Sequence, residues 1–130
     1  MIIDTSALLA ILRNEPDAES CAIAIEEADV RRISAGNYLE AAIVIDASGD
    51  PIASRRLDEL IELSGMVIEP FTAEQARIAR DAYRDFGRGS GHPARLNFGD
   101  CFAYALAKVA GETLLFVGDD LRHTDLKPAV

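Results

Sequence analysis

Four stretches of this chain place carboxylates where a folded protein ordinarily avoids them. "MIIDTSALLAIL" runs an apolar pair straight into Asp4, and "NYLEAAIVI" sets Glu40 inside an otherwise apolar stretch. "LNFGDCFAYALAK" puts Asp100 three residues after Asn97, and "LLFVGDD" ends in Asp119 and Asp120. An ionised carboxylate is costly to bury unless it is paired or bound to a metal. Three or four meeting at one edge repel one another and call for a divalent cation, and all-oxygen ligands suit Mg²⁺ or Mn²⁺. The chain has no His/Cys spacing for zinc. A Mg²⁺ held by few carboxylates keeps waters, activates one of them and neutralises charge on a phosphodiester. Singly, each acid has a plainer reading. Asp100 complements a helix dipole, and Glu40 is a solvent-facing helix position.

These carboxylates need elements to aim them. "MIID" reads as a short apolar strand, followed by a helix over "SALLAILRN". Pro16 opens "DAESCAIAIEEAD" as a helix with proline in its first turn. "RRIS" is a strand, and Ser34 caps a helix over "AGNYLEAAIVIDAS". Asp50-Pro51 starts "IASRRLDELIELS", Gly65 stops it, and "MVIEP" is a strand. Thr72 with Gln75 forms a capping box for "AEQARIARDAYRDF". "GRGSGHPARLN" is a loop. Asn97 caps "FGDCFAYALAKVA", Gly111 ends it, and "TLLFVG" is the most strand-like segment of all. Short apolar strands alternating with helices predict a mostly parallel sheet with helices on both faces. In such sheets the site lies at the carboxyl ends of the strands, where Asp4 and the Asp119–Asp120 pair fall.

At 130 residues the chain is one domain by length. No apolar run approaches the roughly 20 residues that span a bilayer. There is no basic leader with a cleavage site, and two cysteines make no disulfide framework, so a cytoplasmic protein with reduced, inert Cys21 and Cys101 is expected. The net charge of −9 opposes loose, charge-driven binding to nucleic acid. The charge is uneven, however. Residues 1–69 carry five arginines against fourteen acids, whereas residues 77–97 carry five arginines against Asp81 and Asp85.

The four acidic stretches occur in the same order as in PIN-domain ribonucleases. Over essentially its whole length the chain resembles VapC toxins of bacterial type II toxin–antitoxin pairs. The resemblance implies a single domain over 1–130, an α/β/α sandwich with a mostly parallel central sheet, and a Mg²⁺-dependent endoribonuclease. It carries over Asp4 and Asp100 as principal metal ligands and Glu40 as a third acid, binding directly or through water. The fourth acid follows the last strand, where Asp119 and Asp120 both stand; Asp119 is preferred because it comes first after Gly118, and Asp120 stays open. Ser6 matches the small hydroxyl residue two after the first aspartate, which orients a carboxylate or a water. The resemblance further implies RNA as substrate (commonly tRNA or ribosomal RNA), a cognate VapB antitoxin and a toxin homodimer.

Arg77, Arg80, Arg84 and Arg88 recur every three or four residues, which places them on one side of a helix. Arg80, Arg84 and Arg88 are candidate contacts to RNA phosphates through their bidentate forks. The alternative is ordinary surface pairing with Asp81. The glycine-rich loop adds His92 and Arg95 as a substrate contact or lid. The apolar faces of "ALLAIL" and "CAIAI" offer either plain core or a groove for a partner helix. Two rival readings remain. A haloacid dehalogenase-like phosphohydrolase shares the early aspartate and late acidic pair, but this chain has Ser6 where that family has a second acid. A catalytically silent PIN fold used as a binding module is the other.

Overall fold

Ile2 and Ile3 form the whole of β1 (Ile2–Ile3), and they head two different cores. The computed structural model describes residues 1–130. Successive side chains of a strand point to opposite faces. Ile2 accordingly joins Leu114, Phe116, Tyr104 and Ala107. Ile3 joins Leu115, Ile33, Leu8, Ile25 and Leu57.

The elements follow in the order α1 (Thr5–Leu12), α2 (Ala18–Glu27), β2 (Arg32–Ser34), α3 (Ala35–Asp46), α4 (Pro51–Leu63), β3 (Val67–Glu69), α5 (Ala73–Phe86), α6 (Phe98–Ala110) and β4 (Leu114–Leu115). A 3₁₀ turn covers Leu121–His123. The sheet runs β3-β2-β1-β4 and every pairing is parallel. Helices α1 to α4 supply the Ile3 core, while α5 and α6 supply the Ile2 core. This is the expected α/β/α sandwich with a parallel central sheet. No helix is long and apolar enough to cross a membrane.

Local chemistry sets the helix ends. The Asp50 side chain accepts from the Ile52 N–H with Pro51 in the first turn, and Thr72 accepts from the Gln75 N–H. Gly111 closes α6 in the left-handed region at φ 66°, which a residue without Cβ adopts freely. Pro16 stands just outside α2, not in its first turn as expected, because Asp17 is the capping position.

The strands are shorter than their apolar runs. "TLLFVG" pairs only through Leu114 and Leu115, because its partner β1 turns into α1 at Asp4. The chain's end returns alongside: Leu114 N–H donates to Lys127 O, and Ala129 N–H donates to Leu114 O. The glycine-rich loop is pinned at its base, where Arg88 N–H donates to Leu96 O and Leu96 N–H to Phe86 O. Ala94 and Leu96 within it are buried, and His92 packs edge-on against Phe86.

Candidate metal-dependent active site

At the carboxyl edge of the sheet, Asp4, Ser6, Glu40, Asn97 and Asp100 line one cleft of about 190 Å³ with Leu9 and Val44 as its apolar wall. Three elements separated widely in sequence deliver the three carboxylates. Asp4 is the N-cap of α1, Glu40 lies midway along α3, and Asp100 is in the first turn of α6.

Asp4 is 4% exposed. Its Oδ2 accepts from the Ser6 N–H at 3.0 Å and from the Ser6 hydroxyl at 2.6 Å. The Ser6 oxygen in turn accepts from the Val117 N–H at 2.9 Å. Ser6 thus orients the carboxylate and ties it to the chain leaving β4. Burial pushes the Asp4 carboxyl up to about 7; the hydrogen bonds from Ser6 oppose that, and the charges of Asp100 and Glu40 add to it.

Asp100 and Asn97 form a reciprocal capping box. Asn97 N–H donates to Asp100 Oδ2 at 3.0 Å, and Asp100 N–H donates to Asn97 Oδ1 at 2.9 Å. One carboxylate oxygen is thereby held by the helix start. Burial raises the Asp100 carboxyl above its ordinary range; the Asn97 N–H opposes this, Asp120 and Glu40 reinforce it, and Arg88 opposes it. Glu40 lies against the backbone of Gly99, where a Cβ would collide with its carboxylate.

None of Asp4, Glu40 and Asp100 belongs to any ion pair in the molecule. Burial is the main cause of the raised carboxyls of Asp4 and Asp100, and the like charges of neighbouring acids add to it. All-oxygen, mutually repelling donors fit a small divalent cation. No three acidic, histidine or cysteine side chains close around a point as a complete cage. Mg²⁺ uses only one or two carboxylates and retains waters, so an open arrangement suits it.

The other candidates separate. Asp119 has a side chain 86% exposed and turned toward Arg122 at 4.0 Å. Asp120 is half-buried, and its charge acts on Asp100. Arg84 is engaged by Asp85 at 3.0 Å and by Asp81 at 3.3 Å. Arg80 borders an apolar cleft with Phe71, Tyr83, Phe98 and Phe102. Arg88 does not share their helix, because α5 ends at Phe86; from the loop its charge acts on Asp100. Cys21 and Cys101 are free and buried, and burial raises both thiols, Cys101 to about 11.

Sequence reasoning missed Thr5, Asn37 and Gly99, which join beneath the cleft through buried hydrogen bonds. One signal was available: Asn37 is a polar residue three before Glu40 on the same helix, hence on the same side.

The PIN domain family model matches residues 1–127. Ribonuclease VapC28 of Mycobacterium tuberculosis is 59% identical over 130 residues, covering 100% of this chain and 98% of that one. Ribonuclease VapC42 of the same species is 50% identical over 129 residues, covering 99% and 98%. Among solved structures, Mycobacterium tuberculosis VapC20, described as a sarcin-ricin loop cleaving toxin, superposes with a TM-score of 0.76 at 15% identity, covering 96% and 95%. A toxin–antitoxin complex from Klebsiella pneumoniae superposes with a TM-score of 0.68 at 16% identity, covering 92% and 88%. The last two are likenesses of fold.

Proposed function

This chain belongs to the PIN-domain family, among the VapC ribonucleases, and from that premise we propose that it is a Mg²⁺-dependent endoribonuclease toxin restrained by a cognate VapB-type antitoxin. The observation that carries the reading is the meeting of Asp4, Glu40 and Asp100 at one cleft with no cationic side chain paired to any of them. Family membership sets aside the dehalogenase-like alternative.

In this reading Asp4 and Asp100 hold the ion, Mn²⁺ being a substitute, and Glu40 binds it directly or through water. When bound, the cation supplies charge neutralisation at the phosphodiester and a water of lowered pKa. Ser6 keeps the Asp4 carboxylate aimed, and the Asn97 N–H does the same for Asp100. Asp120 fits the fourth acid better than Asp119, since its charge acts on Asp100. Arg88 is the basic group best placed to receive an RNA phosphate at the cleft. Arg80 and Arg84 are outer backbone contacts, Arg84 at the expense of its ion pairs.

Two apolar surfaces support the partner assignments. Ile11, Ala22, Ile25, Leu60 and Leu63 line a groove between α1, α2 and α4, which suits an amphipathic antitoxin helix. Leu39, Ile43 and Phe98 are exposed beside Glu40, which suits a homodimer contact. A cytoplasmic location follows from the RNA substrate.

The test is cleavage of tRNA and ribosomal RNA by purified protein in Mg²⁺, in EDTA, and after Asp100→Asn. Cleavage only by the wild type with metal supports the reading. A protein as inert toward every RNA in Mg²⁺ as in EDTA is a silent PIN module.

A further inference from the structure

The three carboxylates sit on three separate elements, and one buried side chain joins the backbones that carry them. Asn37 is fully buried in α3, one turn before Glu40. Its Nδ2 donates to Thr5 Oγ1 at 3.1 Å and to the Gly99 carbonyl at 3.0 Å. Thr5 Oγ1 donates to the Asn37 carbonyl at 3.1 Å. Thr5 directly follows Asp4, and Gly99 directly precedes Asp100. The Gly99 carbonyl can only accept, and the Thr5 hydroxyl has already spent its hydrogen on Asn37. The nitrogen is therefore the end of the amide that must face them.

Packing alone does not account for an amide at this place. Asn37 Oδ1 is buried with no partner, a cost in stability that a leucine of similar shape would not carry. Gly99 is also the surface on which Glu40 rests, since a Cβ there would collide with its carboxylate. The carbonyl held by Asn37 thus belongs to a residue that touches one acid and precedes another.

We propose that Asn37 is a positioning residue of the acidic site: through Thr5 and Gly99 it sets the spacing of the Asp4, Glu40 and Asp100 carboxylates, and thereby their affinity for a divalent cation. It touches neither the ion nor the RNA. The inference rests on the metal-dependent reading of the cleft.

The test measures Mn²⁺ binding by titration calorimetry, together with kcat and KM on RNA, for the wild type, Asn37→Leu, Thr5→Val and Thr5→Ser. Groups that orient metal ligands through hydrogen bonds are worth roughly 10- to 100-fold in metal affinity. Asn37→Leu and Thr5→Val are expected to weaken Mn²⁺ binding by that factor and to lower kcat, with KM for RNA little changed. Thr5→Ser keeps the hydroxyl and should recover most of the affinity lost in Thr5→Val. Thermal denaturation without metal separates this from unfolding, and if Asn37→Leu does not fold, the Thr5 pair decides. Folded Asn37→Leu or Thr5→Val with wild-type Mn²⁺ affinity overturns the inference alone, as does Thr5→Ser falling as far as Thr5→Val. Wild-type protein that binds no Mn²⁺ overturns the metal-dependent reading, and this inference with it.

Discussion

The Ser6 hydroxyl donates to the Asp4 carboxylate at 2.6 Å while accepting from the Val117 N–H at 2.9 Å. One small side chain thus couples the end of β1 to the chain leaving β4, and it favours the ionised form of a carboxylate that burial would protonate. Ser6→Ala removes a hydrogen bond to a charged group, worth roughly 10- to 100-fold in rate. The acid limb of the pH–rate profile should move to higher pH, because Asp4 then ionises later. An unmoved profile with full activity would separate Ser6 from the site.

Asp4 makes a second, sign-specific prediction for the metal-free protein. Its carboxyl is pushed from 3.8 up to about 7 in the fold, so between those values the folded protein holds a proton that the unfolded chain has released. The resulting stabilisation is fully present below pH 3.8 and is lost as pH rises through about 7, roughly 4 kcal/mol in all. Urea denaturation in EDTA should show the wild type losing ground to Asp4→Asn across that range. Mg²⁺ added at pH 8 should restore stability to the wild type, since it binds only the folded form. Parallel stability curves for the two proteins would contradict the shift.

Gly99→Ala should separate activity from stability. The new Cβ collides with the Glu40 carboxylate, the far end of a flexible side chain, which moves away at little cost. Alanine also gains up to about 1 kcal/mol over glycine within a helix. Unchanged or slightly raised thermal stability with cleavage reduced at least about tenfold, about 1.4 kcal/mol in the barrier, is the expected pair of results.

For the fourth acid, Asp120→Asn should lower cleavage and Asp119→Asn should not. Asp120 acts on Asp100, whereas Asp119 faces solvent and Arg122. Paired rate measurements decide it, and the opposite order would restore Asp119.

Arg88→Gln should weaken RNA binding and lower the slope of log affinity against log salt by about 1. Arg84→Gln should do less, because its guanidinium is already held by Asp81 and Asp85. A salt series on both variants with a non-cleaving Asp100→Asn background reads this directly.

The sequence by itself determined where most helices start and stop, α2 with its displaced Pro16 excepted, because caps are chemistry between neighbours. Asp50-Pro51, Thr72, Asn97 and Gly111 all act in the structure at the positions their residue types imply, although the expected capping box at Thr72 is only half made, since the Gln75 side chain turns to the Pro70 carbonyl. The parallel sheet was equally legible, since short apolar strands alternating with helices leave few other layers to build. So were Asp4, Glu40 and Asp100, each conspicuous as a charge against an apolar background. Tertiary structure alone decided the rest. Strand length depended on the partner: β4 stops where β1 becomes α1, not where its own apolar run ends. The facing of Asp119 and Asp120 depended on the path of the loop after Gly118: the glycine permits a φ of 101° there but does not dictate it. The charge of Arg88 acts on Asp100, and Asn37 joins Thr5 to Gly99, across 12 and 62 residues of chain respectively. Local propensities fade within a few residues, so contacts at those separations exist only once two cores have closed on the faces of the sheet.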